Sequence, residues 1–169
     1  IKATDGKIDP EKDVVLLDGQ PVSYAHTEYF MLNKPAGTVS ATEDGKYPTV
    51  ISLIDAALRK DLFPVGRLDL DTEGLLLLTN DGELAHRLLS PKKHVDKTYY
   101  ARIDGKVDEE DQRAFLQGVD IGDETKTAPA KLEILKSADI SEILLTIQEG
   151  RFHQVKRMFQ ARDKQVIYL

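Results

Sequence analysis

The segment VGRLDLDTEGLLLLTNDG, Val65 to Gly82, leads from a basic residue through two aspartates, Asp69 and Asp71, into four consecutive leucines, Leu75 to Leu78. A short apolar run closed by Asn80-Asp81-Gly82 reads as a buried strand with turn chemistry behind it. Acids at the mouth of such a strand need a reason, and that reason bears on both fold and function.

The elements around this strand set the fold class. EYFMLNKPAG reads as a strand stopped by Pro35 and Gly37, and LFPVGRLD as another short one. Val50, Leu53, Ile54, Ala57 and Leu58 recur at the spacing of an amphipathic helix entered through Pro48-Thr49. ELAHRLLS is helical and is stopped by Pro91, while KTYYARI is rich in strand formers and ends at Asp104-Gly105. DEEDQRAFLQG has Asp108 as a helix N-cap and Gly118 as its stop. APAKLEIL, EILLTIQ and QVIYL are three more strands. EGRFHQVKRMFQ sets Phe152, Val155 and Phe159 on one helix face, with His153, Lys156, Arg157 and Gln160 on the other. At the start, Val14 to Leu17 followed by Asp18-Gly19 makes a small β unit. Helices and hairpins interleave without a βαβ rhythm. The expected class is therefore α+β, with a mixed, mostly antiparallel sheet flanked by helices.

At 169 residues the chain holds one substantial core with room for a small appendage, and the boundary is expected near residues 23 to 27. Cysteine is absent, which removes disulfides, thiolate metal sites and cysteine nucleophiles and points to the cytoplasm. The longest apolar run is far short of a membrane span, so no membrane association is expected. A net charge of -6 weighs against a general polyanion binder. Yet Arg87, Lys92, Lys93, Lys97, Arg102 and Lys106 stand in a stretch whose only acids are Asp96 and Asp104, and a polyanion needs one basic surface rather than a basic protein. His26, His86, His94 and His153 lack metal-ligand spacing and no glycine-rich phosphate loop occurs, so neither metal nor cofactor is expected.

Local pattern leaves the candidate chemistry open. Asp69, at a strand end close to Arg67, suits a nucleophile or base held ionised by a neighbouring charge, but both aspartates also suit a turn in which they accept backbone hydrogen bonds. The basic face of His153, Lys156 and Arg157 could hold an anion, neutralise a buried acid, or simply face solvent. Tyr99 and Tyr100 alternate across their strand, so one packs inward and the other offers a ring to a base.

In order along the chain, NKPAG, GRLDLDTEGLLLLTNDGELAHRL, KTYYARI and EGRFHQVKRMF resemble the RNA pseudouridine synthases, in particular the ribosomal small-subunit pseudouridine synthase A family, from about Tyr29 to Leu169. The resemblance implies the pseudouridine synthase fold and an isomerase that flips a uridine out of ribosomal RNA, with 16S as the expected substrate. It implies Asp69, not Asp71, as the catalytic acid, Tyr99 as the ring that packs on the flipped uracil and assists proton removal, and Lys156 as the partner of Asp69. RNA contacts are implied for Arg67, Lys97, Ile147, Arg151, His153 and Arg157, with Ile147 beneath the base. The reaction needs no cofactor and no metal. The implied partners are ribosomal RNA or a partly assembled ribosomal subunit, met by a monomer.

The same resemblance divides the chain into residues 1–25, similar to the final part of an alpha-L-type RNA-binding domain, and a catalytic domain over 26–169. Because the family continues at both ends, further sequence is expected before Ile1 and after Leu169. Arg162-Asp163 stands where the family often has Val-Gly, a turn change that should be tolerated. Three alternatives remain beside the 16S reading: a 23S synthase of the same family, a non-catalytic rRNA-binding or ribosome-assembly module, and a glycoside hydrolase pairing Asp69 with Asp71 or Glu73 about 5 to 9.5 Å apart.

Overall fold

The computed structural model describes residues 7–9, 12–22, 26–54, 61–90, 93 and 95–169. Strands β1 (Val15–Leu17) and β2 (Gln20–Val22) form the expected N-terminal hairpin. Asp18 and Gly19 both take positive φ, 51° and 78°, the two left-handed positions of a tight hairpin turn. The boundary placed after residue 25 abuts residues 23–25, which lie outside the described residues.

Among the remaining described residues the strands form two antiparallel sheets. The first has the order β3-β5-β4, from β3 (Tyr29–Lys34), β4 (Phe63–Pro64) and β5 (Gly74–Thr79). The second has the order β7-β8-β6-β9, from β6 (Lys97–Asp104), β7 (Lys131–Lys136), β8 (Ile140–Ile147) and β9 (Gln165–Tyr168). All ladders between described strands are antiparallel, and parallel pairing is confined to the isolated bridges Val39 with Thr49 and Gly105 with Ile140. The α+β class stands. The sheet, expected as one mixed layer, is resolved into separate ladders.

Helices α1 (Gly82–Leu89), α2 (Glu109–Gln117) and α3 (Gln154–Gln160) accompany the sheets. Asp108 caps α2 through the N–H groups of Glu110 and Asp111, and Gly118 ends it, as the sequence predicts. Gly118 has φ 81° and a Cβ there would lie 2.2 Å from the Thr127 carbonyl, so no other residue fits. The main core joins Ala101, Ile103, Ile143 and Leu145 of the four-stranded sheet to Phe115, Met158 and Phe159 of α2 and α3. Phe115 and Phe159 meet edge to face at 5.0 Å. A smaller cluster of Val50, Leu76 and Leu78 lies under the three-stranded sheet.

Four expectations are corrected. The leucine run is not uniformly buried: Leu76 and Leu78 enter the core while Leu75 is exposed, because the sheet is packed on one face only. LFPVGRLD is a strand only over Phe63–Pro64; the Val65 N–H still bonds the Leu77 carbonyl, and Gly66 with φ 94° then turns the chain away. The helix read from Val50 is a single 3-10 turn, Val50–Leu53, capped by Thr49 and left by Ile54 in extended backbone; Ala57 and Leu58 lie outside the described residues, as do Pro91 and Lys92. Phe152 does not join the core stripe of α3, for the helix begins after it, and Met158 packs with Val155 and Phe159 instead. The Arg162-Asp163 turn holds, with Asp163 in the left-handed region at φ 55°, which aspartate tolerates better than most side chains.

Candidate active site

The loop that carries Asp69 is built from behind by β3. Along that strand Phe30, Leu32 and Lys34 alternate inward, so Lys34 is driven into the interior and is 0 % exposed. Its ammonium donates to the carbonyls of Pro35, Leu70 and Thr72 at 3.1, 3.4 and 2.7 Å. Burial pushes the amine below its ordinary pKa, against the pull of Asp71, Asp69 and Glu73. The Ser40 hydroxyl spans the same loop from the other side, donating to the Leu68 carbonyl and accepting from its N–H. Gly37 adds a bond to the Leu70 carbonyl, and the Thr72 N–H closes a turn on the Asp69 carbonyl. Asp69 therefore stands on a rigid turn and not on a strand.

Helix α3 delivers the cation. Lys156 Nζ lies 3.2 Å from Asp69 Oδ2 and 2.6 Å from Asp71 Oδ1, so one ammonium bridges both acids. Burial alone would lower the Lys156 pKa, but the hydrogen bonds to Asp71 and Asp69 outweigh it and hold the amine above its ordinary value. Asp71 is depressed, first by the Lys156 hydrogen bond. His153 completes the group from the start of α3, its Nε2 3.6 Å from Asp69 Oδ1. Its backbone is left-handed, φ 47°, and the turn before the helix is fixed instead by Gln154, whose Oε1 accepts from the Arg151 N–H.

Asp69, Arg67, Tyr99, Ile147, Phe152 and His153 line one cleft of about 1260 Å³. Tyr99 points inward beside the core, and Tyr100 outward, where it donates to Glu142. Burial, and then the charge of Asp69, raise the Tyr99 phenol above its ordinary value. The ring is thus a neutral wall of the cleft at neutral pH, and its oxygen is not a resting phenolate. Ile147 is buried at the cleft floor, opposite Lys97 in the β6 to β8 register. Lys97 bonds the Val95 carbonyl. Arg67 is exposed and unpaired among the described residues, a free cation beside Asp69.

A family profile described as RNA pseudouridylate synthase matches residues 28–161. The chain belongs to the RNA pseudouridylate synthase family. It is 50 % identical over 165 residues to an uncharacterised RNA pseudouridine synthase, YtzG, of Bacillus subtilis, covering 96 % of this chain and 69 % of that protein. It is 43 % identical to ribosomal small subunit pseudouridine synthase A of Escherichia coli, over 96 % and 70 % of the two chains. A pseudouridylate synthase crystal structure superposes with a TM-score of 0.79 at 41 % identity, over 99 % of this chain and 71 % of its own. The chain is a pseudouridine synthase acting on RNA.

In this synthase two of the expected RNA contacts are otherwise engaged. Arg151 bonds the Thr125 and Lys126 carbonyls, Glu149 and Asp123, and Arg157 bonds the Ile121 and Phe152 carbonyls and Asp123. Both guanidinium groups fasten the 121–126 loop to the start of α3, and a phosphate would have to displace those bonds. Lys34 and Ser40, which hold the Asp69 loop, and Gln154, which fixes the turn before α3, were given no role from the sequence. Strand alternation from Phe30 and Leu32 was the available signal for Lys34. Among the described residues, no three His, Asp or Glu side chains gather as a metal site, and no helix is long and apolar enough to cross a membrane.

The shared ammonium yields a prediction. In Lys156→Met, Asp71 loses the hydrogen bond that chiefly holds its carboxyl below the ordinary value, so the acidic limb of its titration followed by NMR should move to higher pH. An unmoved limb would show that Lys156 serves packing only.

Proposed function

We propose that the chain isomerises a specific uridine of 16S ribosomal RNA to pseudouridine, with Asp69 as the catalytic acid and residues 26–169 as its catalytic domain. The observation that carries this reading is the Asp69 carboxylate, fixed on a rigid turn and paired with Lys156 in a cleft walled by Tyr99. The reaction breaks the N1 to C1′ bond, turns the uracil and rejoins it through C5, releasing the C5 proton. Substrate and product share one formula, so no redox partner is consumed. What the site must supply is an ionised carboxylate next to the ribose and a surface that holds the detached uracil.

Each part suits one of these tasks. Lys156 pairs with both carboxylates, Tyr99 packs against the extruded ring above Ile147, and Arg67 meets a phosphate of the RNA. Extrusion costs a few kcal/mol of unstacking, which ring stacking and phosphate contacts offset. The choice of 16S rests on the 43 % identity to the small-subunit enzyme of Escherichia coli. A hydrolase pairing Asp69 with Asp71 fits less well: such a pair needs one protonated carboxyl, whereas Asp71 is held below its ordinary pKa.

The test is tritium release from 16S and 23S transcripts labelled at uracil C5. One site's worth of label should leave 16S and none should leave 23S. Release from 23S alone would reassign the substrate. Release from neither, nor from ribosomal subunits, would leave an RNA-binding module.

A further inference from the structure

We infer that Phe152 is a stacking platform for a nucleobase flanking the target uridine, so that the enzyme holds its RNA through a base it does not modify. A single exposed aromatic is ordinary on a protein surface, but four observations set this one apart. The residue is 69 % exposed although it lies in the motif next to the core of α3. It is stacked on the His153 imidazole, with centroids 3.8 Å apart and planes at 18°. That same imidazole places its Nε2 3.6 Å from Asp69 Oδ1. Finally, the turn is locked: Arg157 donates to the Phe152 carbonyl and the Arg151 N–H bonds the Gln154 side chain.

The ring stands one side chain away from the isomerisation itself. Phe152 covers the face of the imidazole whose Nε2 lies 3.6 Å from Asp69 Oδ1, so we place on the free face of Phe152 a base that flanks the one whose ribose meets Asp69. Such a base is available, because removing a uridine from its stack uncovers the neighbours on either side. A flat apolar ring held by its backbone, with little freedom to lose on binding, is what base stacking requires. Stacking accepts any base, so Phe152 supplies grip and not sequence choice. The inference rests on the reading of Asp69 as the residue that meets the target uridine.

Two experiments test it. In tritium release from the 16S transcript, Phe152→Ala should raise KM by about 5- to 150-fold with kcat changed by less than about 2-fold, Phe152→Tyr should restore KM, and Phe152→Leu should not. An unchanged KM, restoration by leucine, or a loss confined to kcat would overturn the proposal; the last would place Phe152 behind His153 as a positioning residue. The sequence contains no tryptophan, so Phe152→Trp creates a unique fluorophore. Its emission should be quenched as 16S transcript is added, and emission unchanged at saturating RNA would refute stacking. This titration needs no turnover. Failure of the unaltered enzyme to release tritium would sink the functional reading, while quenching would still decide the platform.

Discussion

Asp69→Asn should lower tritium release by about 10³-fold or more, the scale on which a positioned acid-base or nucleophilic group acts, while the affinity for RNA changes by less than about 3-fold. The substitution keeps shape and removes charge. It should not disturb the fold, because Lys156 retains its shorter contact, the 2.6 Å bond to Asp71, and no cation is orphaned. The loop is equally secure, since Lys34, Ser40 and Gly37 hold it by backbone carbonyls and N–H groups rather than by the Asp69 side chain. Asp71→Asn is the informative companion. It leaves the Lys156 to Asp69 pair in place, and should reduce the rate by about 10-fold or less. Equal loss in the two variants would mean that the acids act as one unit, and a parallel loss of RNA affinity in Asp69→Asn would remove Asp69 from the chemistry.

The division between what the sequence disclosed and what it hid has a physical pattern. Turn and cap signals depend on one or two residues, and those are legible: Asp18-Gly19 makes its hairpin, and Asp108 and Gly118 bound α2 where expected. Strand existence was legible too, because side-chain alternation is local. Burial was not. Four leucines look alike in sequence, yet which of them faces the core is fixed by the pairing of β5 with β3 and by what covers one face. The site divides in the same way. Asp69, Tyr99 and Lys156 were named from motifs, but the bridging of Asp69 and Asp71 by one ammonium joins residues more than eighty positions apart. Arg151 and Arg157 were expected to contact RNA, and their engagement within the fold was hidden because the loop that takes their hydrogen bonds, residues 121–126, carries no motif.

The largest stability effect is expected away from the cleft, at Asp111. Its side chain is 0 % exposed on α2 and accepts from Arg162 Nε at 2.9 Å, Lys164 Nζ at 3.1 Å and the Asp108 N–H. One carboxylate thus caps α2 and ties it to the turn between α3 and β9. Burial pushes this acid up, but the hydrogen bonds from Arg162, Asp108 and Lys164 outweigh it, and the carboxyl sits below its ordinary value of 3.8. Asp111→Ala leaves two cations without their partner and should cost about 3 kcal/mol, the low end for a broken buried pair because Arg162 is partly exposed. For a chain of this size that is a fall in Tm of about 6 to 12 °C. The sign of the pH dependence follows from the depressed pKa. The ionised Asp111 contributes its full stability above the unfolded value, and loses it as pH falls through the lower folded value. The gap between native protein and variant in urea melts should therefore be constant at neutral pH and should shrink below about pH 4. A gap that stays the same in acid would mean that Asp111 holds α2 by shape and hydrogen bonding alone, not by charge.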